Sequence, residues 1–361
     1  MIQEGHLQVF DLILETKGPV FIGNGRSYTK KEYIYDPQRQ MVSFVDEMKF
    51  FTYLAEHGLA DAYEGFILEN MSKNLHDFLR NTCNLSPSSI DSFVRCKISA
   101  GDALDQNHTL KEIQQFIRDG SNRVYVPGSS IKGALRTALL KAMLMEKPPV
   151  NPDPRLPFQK YDTMEEAYFH TLSLKKDRNG FVQVGNPLNS IMQGVRISDS
   201  LPIADSRLCL APKIDEFVDG TYNKINICRE CIKPGTQIRC TITLDQSILK
   251  GKITKETILD AIAQTSLHYQ KTVLSHYPQV PNYMTSRTIL LGGGAGFQSK
   301  TVVDPYYGKQ AVKVTSDVLV KAFRNHFHHE DIAEGISPRA LKQTDFNQAA
   351  YPFGACEVYI R

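Results

Sequence analysis

Two basic residues occupy the first turns of a predicted helix, at a spacing that would suit a phosphate group. Lys132 and Arg136 are four residues apart and therefore share one helix face. Ser129 or Ser130 is the predicted N-cap. Cations there oppose the helix macrodipole and repel each other, and Gly133 lowers helix propensity by about 1 kcal/mol relative to alanine. A phosphate at the helix N-terminus would account for these choices, because free N–H groups and both cations would point at it. The alternative is a solvated basic face beside a plain helix cap.

A glycine-rich segment, residues 292–300, offers a second place for a phosphate. It contains four glycines, and glycine-rich backbone can turn several N–H groups toward one anion. Phe297 would stack on an unpaired base, and Lys300 would meet a phosphate. The same stretch nearly matches the P-loop of nucleotide-hydrolysing enzymes, with Ser299 in place of the second glycine. Because residues 301–305 are predicted to be extended and then broken rather than helical, an NTPase is disfavoured.

Other residues capable of chemistry occur in patterns that favour plainer interpretations. Cys228 and Cys231 have the spacing of a metal-binding pair, but no second pair follows, so two reduced thiols in a loop are expected. The histidines within residues 326–329 are interpreted as an exposed helix face, and Asp199 as a helix cap or the partner of a basic residue. General acid–base cleavage of RNA needs a base near a 2′-hydroxyl and an acid at the leaving oxygen. The single histidines considered for it are His6, His108 and His170.

The composition describes a globular chain that is only mildly basic. It has 361 residues, 42% hydrophobic and 22% charged, with a formal net charge of +3, so one heavily inserted domain or two domains are expected. A protein that coats nucleic acid over its whole surface is usually more basic, and any RNA contact is therefore expected along a local track. Seven cysteines fit reduced thiols, and neither a signal peptide nor a membrane span is recognisable. These features predict a cytoplasmic protein without membrane contact.

The elements that must position these residues alternate between strands and helices. Strands are predicted within residues 6–16, 32–35, 41–44, 194–198, 206–210, 236–244, 287–291 and 356–360. Helices are predicted within residues 47–81, 130–146 and 255–274. This order favours an α+β fold with helices on one face of an antiparallel sheet.

Three segments of the chain form recognisable motifs. Residues 127–136 read PGSSIKGALR, residues 19–25 read PVFIGNG and residues 28–36 read YTKKEYIYD. The PGSSIKGALR motif resembles, residue for residue, a signature of the RAMP superfamily of CRISPR-associated proteins. The PVFIGNG motif resembles the glycine loop that ends the first strand of RAMP proteins, although a G-x-G alone is more often a turn. The YTKKEYIYD motif is similar to the fifth subunit of type III-A (Csm) effector complexes, and the glycine-rich segment 292–300 stands where RAMP proteins have their C-terminal glycine loop.

The resemblance implies an RRM-like (ferredoxin-like) RAMP core with a helical insertion at about residues 46–120. This core would span residues 1–245, and residues 246–361 would complete it or form a second domain. The resemblance also implies a subunit that binds and caps the 3′ portion of CRISPR RNA, supports its maturation in antiviral defence, and docks on neighbouring RAMP backbone subunits. A trimming nuclease is a further partner that the sequence leaves open. No cofactor and no metal are expected.

The residues expected to contact the RNA come from the helix start and from both glycine loops. They are Gly23, Gly25, Arg26, Ser129, Ser130, Lys132, Gly133, Arg136, Gly292, Gly293, Gly294, Gly296, Phe297 and Lys300. Such contacts are largely independent of base sequence, which suits a subunit that must accept any guide. The protein is not expected to be a nuclease itself. Two alternatives stay open: a metal-independent, guide-processing endoribonuclease, which needs a catalytic histidine, and a structural cap that binds RNA only within the assembly.

Overall fold

A computed structural model describes residues 2–69, 73–105, 109–110, 112–147 and 161–361. The strands are β1 (Ile2–Glu4), β2 (Leu7–Thr16), β3 (Gly23–Tyr28), β4 (Tyr33–Asp36), β5 (Met41–Val45), β6 (Val94–Ser99), β7 (Ile113–Phe116), β8 (Val195–Ile197), β9 (Leu208–Phe217), β10 (Tyr222–Ile232), β11 (Gln237–Asp245), β12 (Thr288–Leu290), β13 (Ala340–Phe346), β14 (Ala349–Pro352) and β15 (Ala355–Ile360). The helices are α1 (Glu47–Glu56), α2 (Ala60–Leu68), α3 (Leu75–Asp77), α4 (Pro87–Ser92), α5 (Gly128–Glu146), α6 (Tyr161–Phe169), α7 (Gln246–Leu249), α8 (Lys255–Thr272), α9 (Phe297–Lys300), α10 (Val303–Tyr307), α11 (Ala311–Ala322) and α12 (Asp331–Glu334).

The first sheet has the strand order of a ferredoxin-like fold. Its order is β12-β15-β2-β11-β8, and β1 extends it as a hairpin on β2. Strand β2 leads through α5 to β8, and β11 returns antiparallel between β8 and β2. Leu12 and Leu14 of β2 are fully buried, while the alternate side chains are more exposed, as one helix-covered face requires. The α+β, RRM-like fold predicted from the sequence is therefore confirmed.

The C-terminal strand β15 takes the place beside β2 that the fourth strand occupies in a ferredoxin-like sheet. It pairs antiparallel with β2 on one side and with β12 on the other. Helix α8 precedes β12 and packs against α5. One hydrophobic cluster therefore runs from Phe10 to Ile360. The first sheet thus takes strands from both sides of the domain boundary predicted at residue 245, and the boundary itself stays a prediction.

A second sheet places the first glycine segment. Its order is β14-β13-β9-β10-β7-β3, and only the β7–β10 pair is parallel among the described strands. Strand β3 forms its edge and contains residues 23–28. The chain passes from the first sheet to this one through Val20, which bridges to Ile232 of β10.

Helices α1 to α4 fold around a hydrophobic cluster of their own between β5 and β6. The buried members of that cluster are Ile34, Phe50, Leu54, Phe66, Leu75, Phe78, Leu79, Ile90 and Phe93. Strands β4, β5 and β6 form a three-stranded sheet beside it. The insertion predicted at about 46–120 is therefore helical only as far as α4, because β6 pairs with β5 and β7 pairs with β3 and β10.

Candidate nucleic-acid interface

Helix α5 begins at Gly128, and its first N–H group is held by a distant carboxylate. The N–H of Gly128 donates to Asp199 Oδ1 at 2.8 Å. No side chain caps the helix from the N-cap position itself, so the prediction that Ser129 or Ser130 is the N-cap is wrong. Gly128 packs so closely on β8 that a Cβ would lie 2.2 Å from the carbonyl oxygen of Ile197. This contact brings Asp199, which follows β8, to the helix end, where it has the capping role predicted for it.

Lys132 and Arg136 line a cleft of about 540 Å³ on one flank of α5, as their shared face predicted. Arg136 forms an ion pair with Glu165 of α6. Burial lowers the pKa of the Lys132 ammonium, and the charges of Arg136 and Arg196 lower it further. Since Asp199 already occupies the helix N-terminus, a phosphate here would be held by the cations on the flank and not by the helix end. Such a phosphate would also relieve the repulsion among the cations.

The first glycine segment is the bulged start of strand β3, not a loop between two strands as predicted. The register of β3 with β7 shifts between Gly23 and Ser27. Gly25, inside this bulge, has a φ of +84°, which few other residues adopt without strain. Residues 23–26 are all exposed. The bulge thus presents its backbone and the Arg26 side chain to solvent.

The second glycine segment packs directly against the residue pair that precedes the first. Gly293 donates its N–H to the carbonyl oxygen of Phe21 at 2.7 Å. A Cβ on Gly292 would lie 2.2 Å from the same oxygen, so only glycine permits this approach. A Cβ on Gly296 would meet the Lys342 side chain at 2.8 Å. Close packing between backbone segments therefore explains these glycines, and it brings the two glycine segments side by side.

A buried arginine supports both glycine segments from below. The Arg229 guanidinium of β10 lies 5.3 Å from the centre of the Phe21 ring and 5.2 Å from that of Phe353. Its Nε donates to Gln114 Oε1 at 2.9 Å. The Phe353 ring in turn packs against Gly294, where a Cβ would lie 3.0 Å from the ring. The cation therefore ties the strand before the first segment to the packing of the second.

Phe297 and Lys300 lie at the two ends of the short helix α9. Phe297 packs against the main core and is only partly exposed, which leaves less of its ring for a base. The residues after Lys300 were predicted to be extended, and this is wrong: α10 follows at Val303–Tyr307. Pro305 is compatible with that helix because it lies in the first turn. A P-loop lysine stands where its helix begins, whereas Lys300 ends α9, so this is not a P-loop.

The predicted contact residues are divided between two sides of α5. A cleft of about 320 Å³ between α5 and α8 is lined by Ser130, Gly133, Gly292 and Lys300. Lys132 and Arg136 line the other cleft, with α6. The helix start and the second glycine segment therefore converge, and the two cations face away from that point.

Comparison with known proteins decides the family. The model of the RAMP superfamily matches residues 13–317, which include the α5 signature and both glycine segments. A relative from Streptococcus thermophilus, named CRISPR system Cms protein Csm5, is 30% identical over 309 residues, covering 82% of this chain and 80% of its own length. The chain belongs to the RAMP superfamily and, within it, to the Csm5 proteins.

Further Csm5 relatives and solved structures extend the similarity over nearly the whole chain. The protein of the same name from Mycobacterium tuberculosis strain H37Rv is 29% identical over 381 residues, which is 99% of this chain and 98% of that protein. A chain in the cryo-EM structure of a Csm–crRNA–target RNA ternary complex of a type III-A CRISPR-Cas system has the same fold, with a TM-score of 0.67 and 16% identity over 97% of this chain and 100% of that one. The crystal structure of T. onnurineus Csm5 gives a TM-score of 0.60 and 17% identity, covering 96% and 99% of the two chains.

Lys141 is a residue of this RAMP core that sequence reasoning missed. It is buried on α5, only 4% exposed, with its Nζ 3.4 Å from the carbonyl oxygen of Gln298 and 3.3 Å from that of Ser299. Burial lowers the pKa of its ammonium to about 8, and the charge of Asp304 opposes this shift. The sequence carries one signal: Lys141 stands at helical spacing from Ala138, on the stripe that faces α8.

The cysteine and histidine patterns have structural explanations in this RAMP protein. Cys228 and Cys231 lie inside strand β10, so the predicted loop is wrong, and burial raises the pKa of the Cys228 thiol to about 12. No group of three or more metal-binding side chains occurs among the residues described. His328 contacts Asp331 in a short 3₁₀ turn, next to exposed histidines. His108 lies outside the described part of the chain. Within that part, no helix is both long and apolar enough to cross a membrane.

Proposed function

We propose that this protein is a guide-RNA-binding subunit of a type III-A CRISPR effector complex that acts in antiviral defence. In this proposal it binds and caps the 3′ portion of the CRISPR RNA and supports its maturation. It docks on the neighbouring RAMP backbone subunits in the cytoplasm and does not itself cut RNA. A trimming nuclease would act on the RNA end that this subunit leaves accessible. The Csm5 relatives support membership of the complex, and so does the fold shared with a chain of the Csm–crRNA–target RNA complex.

The cation cleft beside α5 is the observation that carries RNA binding. Lys132, Arg136 and Arg196 bring three positive charges together there, and repulsion among them already lowers the pKa of Lys132. Such an arrangement is unfavourable for the fold and favourable for a phosphate. The two carboxylates that pair with the arginines, Glu165 and Asp245, would exchange these contacts for RNA phosphates when the guide binds. Contacts to phosphates carry no base information, as a subunit for any guide requires.

Replacing both Lys132 and Arg136 with alanine is expected to weaken binding of a labelled CRISPR RNA. Each lost phosphate contact should also reduce the slope of log affinity against log salt by about 0.7, as for single strands. Affinity would be measured at two or more salt concentrations, with the protein alone and with its partner subunits. Binding that appears only with the partners would favour the structural cap.

A double variant of equal charge change controls for overall charge. Lys313 and Lys321 are exposed on α11, away from the cation cleft, and their replacement with alanine should leave affinity nearly unchanged. If both double variants weaken binding equally, the effect is one of net charge and the cation cleft is not the RNA site. Unchanged binding by the Lys132 and Arg136 variant would make the helix start a purely structural feature.

One observation favours the alternative, a metal-independent endoribonuclease. His170 lines the same cleft as Lys132 and Arg136. Its Nδ1 contacts the carbonyl oxygen of Val184, so Nδ1 is the donor and Nε2 is left as the acceptor that a general base needs. If the purified protein cuts RNA, His170→Gln should abolish cleavage while affinity stays within the range of the wild type. Absence of cleavage by rigorously purified protein, alone and in the assembly, would exclude this alternative.

A further inference from the structure

The α5–α8 cleft is a built cavity that the cation cleft leaves unused. Its volume of about 320 Å³ lies at the small end of the range for ligand sites. Helix α5 contributes one side, α8 the other, and β12 with Gly292 of the second glycine segment closes it. Apolar side chains make up much of its wall: Ala134, Ala138, Ile262, Met284, Ile289 and Leu290.

The charged groups of the α5–α8 cleft are all positive. Lys141 and Lys300 line it, and none of the described lining residues carries a carboxylate. The Lys141 ammonium is 96% buried, and its two carbonyl contacts, at 3.4 and 3.3 Å, are longer than the roughly 2.7–2.9 Å of charge-assisted hydrogen bonds. Asp304 is the one carboxylate whose field it feels, and that carboxylate is already paired with His268. A buried cation so weakly satisfied indicates an anionic ligand.

Gly133 keeps the mouth of the α5–α8 cleft open. It is exposed inside a helix, where glycine is unfavourable, and no atom lies within 4 Å of the position of a Cβ. Packing therefore does not require a glycine there, unlike at Gly128 or Gly292. Any larger side chain at this position would project into the cleft.

We propose that the α5–α8 cleft binds one unstacked nucleotide of the RNA, with its base against the apolar wall and its phosphate between Lys300 and Lys141. This inference rests on the proposed RNA-binding function. A nucleotide combines a flat apolar face with one anion, which matches the two kinds of lining. The cation cleft on the other flank of α5 would hold the neighbouring backbone, so the strand would pass over the exposed start of the helix at Ser129 and Gly133.

The test uses Gly133→Leu, which fills the cleft without changing any charge. Single-stranded RNAs that each lack one base are compared with the intact strand, using the full-length protein alone and with its partner subunits. With the wild type, one abasic position should weaken binding about tenfold, the loss typical for one bound base. Gly133→Leu should weaken binding of the intact strand by a similar factor, lose the position-specific effect, and keep the salt dependence of the wild type. Lys141→Met should also weaken binding.

Two matched variants make the result interpretable. Ser129→Leu adds the same side chain to an exposed position of the first turn outside the cleft and should bind as the wild type does. Gly133→Ala adds one methyl group and should weaken binding less than leucine. Leucine and alanine both favour helix more than glycine does, so thermal unfolding should show folded variants.

The outcomes separate this proposal from the one on which it rests. If the wild type binds no RNA in either setting, both proposals fail. If it binds RNA, but Gly133→Leu has no effect and no abasic position matters, only the nucleotide site fails. Free uridine monophosphate is the second probe. Saturation of the cleft by this mononucleotide at micromolar concentration would overturn the assignment to a nucleotide within RNA and assign the cleft to a free nucleotide.

Discussion

Replacing Glu230 with glutamine is expected to lower the free energy of unfolding by about 3–5 kcal/mol, as when one partner of a buried ion pair is removed. Glu230 is fully buried on β10. Its Oε1 lies 2.5 Å from Arg118 Nη2 and 3.9 Å from Arg95 Nη2, and its Oε2 accepts the N–H of Phe116 at 3.0 Å. One carboxylate thus joins β10, the end of β7 and β6 of the three-stranded sheet.

The large effect follows from what glutamine would leave behind. Desolvation alone would lower the pKa of the Arg118 guanidinium, but the charge of Glu230 and the hydrogen bond with Asp205 raise it above its ordinary value. Without the charge of Glu230, the partly exposed Asp205 would be the nearest anion for both arginines. Two poorly compensated cations in the interior would destabilise the fold more than the lost hydrogen bonds.

Urea unfolding of Glu230→Gln and wild type measures this prediction. Asp91→Asn is the control, because Asp91 pairs with Lys97 on the exposed surface at 2.7 Å and its loss should change stability by less than about 1 kcal/mol. If Glu230→Gln is no more destabilising than Asp91→Asn, the buried network does not hold the three-stranded sheet to the rest of the protein.

Strand β10 shows where sequence patterning fails for this fold. Residues 222–232 contain asparagine, lysine, arginine and glutamate among the apolar positions, which is unlike a buried strand. They form one nevertheless, because Arg229 and Glu230 find partners inside the protein. Those partners lie more than 100 residues away, and such a pairing is invisible to local pattern. The alternating strand β2 and the amphipathic helix α8, in contrast, were both predicted.

The candidate site divides in the same way between local and distant determinants. The helix start at α5 was predicted because proline, glycine and serine act locally, whereas its real cap, Asp199, comes from 71 residues further along the chain. The second glycine segment was predicted as a phosphate nest. Its glycines are explained by contacts with Phe21 and Phe353, which only the assembled fold reveals. Local spacing identified the residues, but the fold decided which of them share a cleft.

Lys141→Met is expected to stabilise the protein at pH 7 by up to about 3 kcal/mol. The pKa of the buried ammonium falls from 10.5 to about 8, and a shift of that size corresponds to about 3 kcal/mol. Methionine has a similar length and no charge, so it removes the desolvation penalty while filling the same space. A stabilising effect from deleting a lysine would be unusual for an exposed site.

The pH dependence identifies the cause of that gain. Below pH 8 Lys141 is protonated in both folded and unfolded chains, and the penalty of burying its charge is present in full. Between pH 8 and 10.5 the unfolded chain keeps the proton that the folded chain releases, so this group makes stability rise with pH. Buried thiols such as Cys228, whose pKa is raised, act in the opposite direction. The difference between wild type and Lys141→Met cancels those contributions, and it should shrink steadily across this window.

The measurement is urea unfolding of both proteins from pH 7 to 10.5, with Lys313→Met as an exposed control that should change little. A less stable Lys141→Met at pH 7 would mean that the contacts with Gln298 and Ser299, together with the field of Asp304, more than offset burial. Combined with the RNA experiment, the prediction becomes sharper. A variant that gains stability and loses affinity for RNA would show that α5 carries this lysine for the ligand of the α5–α8 cleft, at the expense of the fold.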